Sequence, residues 1–188
     1  MIISPDRFSQ SMNGTASYLT PESGLVWELT QDRVRRELAD HDVLVLMVGL
    51  PSSGKSTWLV NHAKPGRLYI DTTFCLPEYR APFIEIAKQA GKPVISIWVD
   101  TPFEVCLVRN AEHPADRRIP EELFDGWWAS LLESPPSEGE GLDASWRVTE
   151  HDNVRMVYHG VPEYGGSIPA RKTLSAQPSD QDDLLLYP

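Results

Sequence analysis

The chain has 188 residues, 41% of them hydrophobic and 23% charged, which suits one domain with a substantial core, alone or with an appendage. It has no apolar run of the ~18 residues a membrane-spanning helix needs, no basic and apolar leader at its start, and only two cysteines, Cys75 and Cys106; a reduced cytoplasmic setting is expected. A net charge of −10 weighs against tight non-specific DNA binding, but much of it sits on Glu133, Glu138, Glu140, Asp143, Asp180, Asp182 and Asp183, so a local basic groove is not excluded.

In chain order, Ile2 and Ile3 read as the end of a buried strand, followed by a turn, Ser4-Pro5-Asp6-Arg7, and a polar loop, QSMNGTASY. Next, Val26, Leu29, Val34 and Leu38 fall near helical spacing, with Thr20 or Ser23 as candidate N-caps. HDVLVLMVG is a continuous apolar run of the kind found in buried parallel strands. A helix is expected from about Lys55 to just before Lys64-Pro65-Gly66, and RLYID reads as a second buried strand.

Pro77 opens a helix to about Ala90, with Pro82 expected to disturb its early part. VISIWVD is a third strand, and Pro102 and Pro120 open helices over TPFEVCLVRN and EELFDGWWASLLE. SPPSEGEG reads as a linker, SWRV and NVRMVYH as weaker strands, and the stretch from about Val161 as an irregular or partly disordered tail. Strands alternating with helices predict an α/β fold with a mainly parallel sheet and helices on both faces.

Between the first long strand and its helix, Gly49-Leu50-Pro51-Ser52-Ser53-Gly54-Lys55-Ser56 satisfies G-x-x-x-x-G-K-S/T. Glycines let such a loop wrap phosphate oxygens, so that backbone N–H groups and a helix N-terminus point at the anion. Lys55 is expected to reach the β- and γ-phosphates of a nucleotide, Ser56 to bind Mg²⁺, and Thr57 to support it. The alternative is a Gly/Ser turn that binds nothing. The loop alone does not separate a kinase from a motor or a regulatory ATPase, and no N-K-x-D guanine motif is present.

Asp71 ends its strand in DTT, where it can hold Mg²⁺ or its water shell, or simply cap a turn. Arg80 is a candidate substrate or phosphate contact, against an ordinary exposed helical arginine. Arg109, His113, Arg117 and Arg118 cluster in RNAEHPADRRIP, either a lid that brings guanidinium groups to a phosphoryl group or a solvated basic loop. Trp127 and Trp128 are adjacent on one helix and face different ways, one toward the core and the other open to stacking a base. His41, His62, His151 and His159 form no constellation.

These motifs together resemble the polynucleotide-kinase-like P-loop kinases over roughly residues 1–150. The family's G-x-P-x-S-G-K-S-T loop is GLPSSGKST here, and its D-A/T-T/N strand end with x-P-E-x-R is DTTFCLPEYR. Its R-N lid running to an Ile-Pro helix start is VRNAEHPADRRIP, and its P-P-x-x-x-E-G close is SPPSEGEG. The family also carries an I-S-x-D turn, whose Asp is the general base, between the P-loop helix and the second-acid strand. Here that interval has no room for it, and the N-terminal IISPDRF takes its place, as if the base-bearing block had moved ahead of the P-loop.

Such permuted order in a short chain resembles the phage 5-hydroxymethyluridine DNA kinases. The resemblance implies a P-loop kinase domain over 1–160 (a base-bearing block over 1–42, a P-loop block over 43–66, then second acid and lid) and a tail over 161–188. It implies Asp6 as general base, Lys55, Arg109 and Arg117 as catalytic, and Gly49, Pro51, Ser52, Ser53, Gly54, Ser56, Thr57 and Arg118 on the nucleotide. Arg7, Asp71, Thr72 and Arg80 fall to the substrate side, and Ser56 and Asp71 to the metal. The implied partners are ATP, Mg²⁺ and DNA bearing a modified pyrimidine, with no membrane; a 5′-hydroxyl polynucleotide kinase, a small-molecule kinase and a non-catalytic nucleotide switch are the alternatives. The family's usual Arg three residues after its base is Ser9 here, and the last Arg of R-N-x-x-R is His113.

Overall fold

A strand whose every side chain is buried needs cover on both faces, and Val43–Val48 (β2) is such a strand. The computed structural model, which describes residues 1–5, 24–149 and 154–159, sets β2 in the interior of a six-stranded sheet. The other strands are β1 (Ile2–Ile3), β3 (Arg67–Asp71), β4 (Val94–Val99), β5 (Ala144–Val148) and β6 (Val154–His159), in the order β1-β3-β2-β4-β5-β6. β1 to β5 are all parallel, and β6 closes the far edge antiparallel to β5.

Five helices are described: α1 (Gly24–Glu37), α2 (Lys55–His62), α3 (Pro77–Gln89), α4 (Phe103–Glu112) and α5 (Glu121–Glu133). The pleat sends Leu44, Leu46 and Val48 to one face, where they meet Val34, Phe83, Ile84, Cys106, Phe124 and Leu131 from α1, α3, α4 and α5. Val43, Val45 and Met47 go to the other face, with Trp58 and Leu59 of α2. The fold is therefore α/β with helices on both faces. Among the described residues no helix is long and apolar enough to cross a membrane.

Local departures from the expected pattern have physical reasons. In α1 the buried row is Val26, Thr30 and Val34, continued by Leu38, so Thr30 takes the place expected for Leu29. Its hydroxyl is satisfied within the helix, Oγ1 donating to the Val26 carbonyl at 2.7 Å, which lets a polar residue join an apolar stripe. α3 runs unbroken through Pro82; burial of Phe83, Ile84, Ile86 and Ala87 on its inner face offsets the lost backbone bond. SPPSEGEG is more than a linker: Glu138–Glu140 form a 3-10 turn with a reciprocal capping box between Ser137 and Glu140. Both weaker strand candidates are strands. Asp6, Arg7, Thr20, Ser23, the loop QSMNGTASY, His151 and the tail from Val161 lie outside the described residues.

Parallel strands send their carboxyl ends to one edge, the usual crevice for ligands in such sheets. Val48, Asp71, Val99 and Val148 end there, and β1 joins them: Ile2 pairs with Tyr69 and Ile3 with Ile70, so Ser4 leaves the sheet at the level of Asp71. Leu46, at the centre of β2, is fully buried. Leu46→Ala should destabilise the fold by about 2–5 kcal/mol, read as a lower urea midpoint with an unchanged m-value.

Candidate active site

The turn from β2 into α2 is shaped by positions only small or unbranched residues can fill. Gly49 has φ +144°, and a Cβ there would stand 2.6 Å from the Val99 carbonyl oxygen and 3.0 Å from Ser53 Oγ. Gly54 takes φ +95° immediately before α2, and Ser52 is left-handed at φ +59°. Leu50, Pro51 and Ser53 are buried, anchoring the loop from below. It is braced on both sides: Gly49 N donates to the Thr73 carbonyl at 3.0 Å, and Thr101 Oγ1 to the Ser53 carbonyl at 2.7 Å.

Lys55 begins α2 and is only 8% exposed. Its ammonium curls over the loop, Nζ donating to the Gly49 carbonyl at 2.8 Å and the Leu50 carbonyl at 2.7 Å. These contacts hold the ammonium at the loop. The helix N-terminus adds its own partial positive charge in the same place. Together, the tight glycine path and the held ammonium suit a phosphate chain.

One residue on, Ser56 Oγ donates to Asp71 Oδ2 at 2.6 Å across the gap between α2 and the end of β3. This pairs a hydroxyl with a carboxylate, two hard oxygen donors that fit Mg²⁺, which ordinarily keeps several waters and draws further ligands from phosphate. Among the described residues no group of three or more His, Cys, Asp and Glu side chains forms a metal cage. Thr57 is exposed on the first turn of α2, and Thr72 is half-buried directly after Asp71.

The loop that follows Asp71 is firmly gripped. Phe74 holds a left-handed φ of +43° and is fully buried, with its ring 5.9 Å from Trp27 of α1 and 5.2 Å from Phe83. Arg80 corrects the sequence reading. It is fully buried, so it does not face a substrate; its Nε pairs with Glu140 at 2.6 Å and its other nitrogens donate to the carbonyls of Phe74, Cys75 and Ser134. A guanidinium five N–H donors wide is well matched to such a ring of acceptors.

The candidate lid is clipped rather than loose. Asn110, buried at the end of α4, donates from Nδ2 to the Ile119 carbonyl at 2.8 Å and accepts from Ile119 N at 3.0 Å. This pins both ends of residues 111–118. Arg109, Arg117 and Arg118 are exposed, and Arg118 Nε donates back to the His113 carbonyl at 2.8 Å. Trp127 and Trp128 are both half-buried against the core, tilted against Phe124 and Phe103 respectively.

Sequence reasoning missed three participants at this edge. Asn110 and Thr101 act through backbone partners that only the fold reveals. At the end of β4, Asp100 accepts from Arg147 Nε at 2.6 Å, and that guanidinium lies over the Trp98 ring at 4.8 Å. Asp6 and Arg7 lie outside the described residues; the description on that side stops at Pro5, which is buried.

A scan against protein-family models finds no match to the chain, and neither does a search of the curated proteins. The kinase resemblance therefore rests on the motifs themselves.

Beneath the loop, burial pushes the Cys75 thiol up to about 12, away from the reactive thiolate. Native protein should thus resist iodoacetamide at Cys75 at pH 8 and be alkylated there only after unfolding, as peptide mass spectrometry would show.

Proposed function

We propose that the chain is an Mg²⁺-dependent ATP kinase that phosphorylates the hydroxymethyl group of 5-hydroxymethyluracil in DNA, giving a 5-phosphomethyl base, a step in phage DNA hypermodification. The observation that carries the kinase reading is the Ser56–Asp71 contact beside the buried Lys55, at the mouth of a strand–loop–helix turn. That set of donors meets the needs of a metal-bound triphosphate. The choice of acceptor comes from the motif resemblance.

The sheet order supports the transposed block. β1 comes first in the chain yet pairs with β3 and not with β2, so a turn leaving Ile3 emerges at the edge where Asp71 lies. A base-bearing block moved ahead of the P-loop needs that placement to reach the site. The closeness of block ends on a sheet surface makes such reordering sterically inexpensive.

In this mechanism the Ser52 and Gly54 amides and the α2 N-terminus hold the phosphates, with Lys55 donating to the β- and γ-oxygens. Ser56 and Asp71 would hold Mg²⁺, which would neutralise charge on those phosphates. Asp6 takes the proton from the acceptor hydroxyl as its oxygen bonds to the γ-phosphorus. The bond from that phosphorus to the bridging oxygen breaks, and ADP leaves with the electron pair. Arg109, Arg117 and Arg118 donate to the transferring phosphoryl group and the nucleotide once the lid segment comes over. Arg7 and Thr72 contact the acceptor side, and the target base is at least partly drawn out of the duplex to reach Asp6.

The test supplies γ-labelled ATP with duplex DNA containing 5-hydroxymethyluracil, ordinary DNA with 5′-hydroxyl ends, and free nucleosides. Label is expected in the modified duplex and resistant to removal of the 5′ ends. Label confined to 5′ ends would assign a polynucleotide kinase, label on free nucleosides a small-molecule kinase, and no label a binding module. Two variants separate roles. Asp6→Asn should lower turnover by about 10²–10⁴-fold with nucleotide affinity kept, whereas Lys55→Ala should weaken ADP binding and turnover together.

A further inference from the structure

Arg80 is the largest fully buried side chain in the described structure, and a charge so placed must be answered by its surroundings. The answer comes from the loop just before α3 and from two sites 54 and 60 residues further along the chain. Glu140 accepts from Nε at 2.6 Å and is itself held by the Ser137 amide at 3.0 Å. Ser134 O, at the carboxyl end of α5, accepts from Nη2 at 3.0 Å. Phe74 O and Cys75 O accept from Nη1 at 2.8 Å and 3.2 Å, and Ser130 Oγ reaches the Cys75 carbonyl at 3.4 Å.

The loop so gripped is the one that leads out of Asp71. One residue before Phe74, the Thr73 carbonyl receives the Gly49 amide, the first N–H of the phosphate-binding turn. A left-handed Phe74 persists only where its surroundings over-determine it, and the Arg80 contacts do so from one side as Trp27 does from the other. The same guanidinium also holds the end of α5, the helix that follows the candidate lid.

We propose that Arg80, set by Glu140, is a positioning residue for the nucleotide site: it fixes the Asp71–Cys75 loop, and through the Thr73 carbonyl the Gly49 amide, and ties both to α5. This rests on the reading of residues 49–56 as a nucleotide site. It goes beyond that reading in assigning the cradle's geometry to a buried ion pair that touches neither phosphate nor metal. Lysine at this position keeps the charge but cannot address carboxylate and three carbonyls at once.

The experiment compares wild type, Arg80→Lys, Glu140→Asp and Leu46→Ala, the last a core change outside the site. Mg²⁺·ADP affinity is measured by calorimetry below each melting temperature, and amide exchange at Gly49 is followed in the same proteins. Arg80→Lys and Glu140→Asp should each lose roughly tenfold in affinity, as outer positioning contacts commonly do, and exchange faster at Gly49. Leu46→Ala should lose stability alone. If Arg80→Lys does not fold, Glu140→Asp carries the test. Folded variants that bind ADP as tightly as wild type and protect Gly49 equally would overturn the positioning role. A wild type that binds no ADP would instead remove the nucleotide-site reading, and this proposal with it.

Discussion

Everything at the candidate site depends on five strands running the same way. Parallel strands cannot be joined by tight hairpins, so each return to the sheet's starting edge is made by a helix. Each of these five strands therefore delivers its exit turn to one edge. There β2 gives the loop from Gly49 to Gly54, β3 gives Asp71 and the loop after it, β4 gives Asp100 and Thr101, and β1 gives Ser4-Pro5. The cross-braces between exits, Gly49 to Thr73 and Ser53 to Thr101, join segments far apart in sequence. The loop from Gly49 to Gly54 is thus braced by its neighbours, a form of preorganisation that in the proposed kinase lowers the cost of binding a ligand.

Charge is arranged in the same way. The chain is acidic as a whole, yet Lys55 donates to carbonyls at the loop, and Arg80 and Arg147 are paired with Glu140 and Asp100. In the proposed kinase the cations that act on phosphate are those at the loop and on the exposed lid segment. The paired arginines serve geometry. Distinguishing the two kinds needs burial and partners, because both are simply arginines beside a motif in the sequence.

That distinction marks where the sequence could be read and where it could not. β2, β3 and β4 were legible because strands covered on both faces must be continuously apolar, and Pro77, Pro102 and Pro120 marked helix starts because proline's fixed φ suits a first turn. The turn from Gly49 to Ser56 was legible as the link between a strand and a helix because its glycines mark positive-φ positions. Arg80 was misread because its carboxylate partner lies sixty residues away, in a segment whose composition resembles a linker. Thr30 was passed over because its polar group is satisfied by the turn before it, and Asn110 because a clip to Ile119 looks like nothing until the chain folds back.

The placement of the N-terminal block follows from packing more than from pairing. β1 offers only two residue pairs to β3, a small contribution for an edge strand. α1 supplies the rest: Val34 and Leu38 enter the core, and the Trp27 ring meets Phe74, Tyr79 and Phe83 edge-on at 5.0–5.9 Å. Such aromatic pairs contribute about 0.5–1.5 kcal/mol each beyond their buried area. Phe74 belongs to the loop that follows Asp71, so part of the contact that seats α1 is made on that loop. In the proposed kinase, the block carrying the base and the loop next to the metal would then be registered by the same aromatic cluster. Moving the block along the chain would leave that cluster, and the register it sets, unchanged.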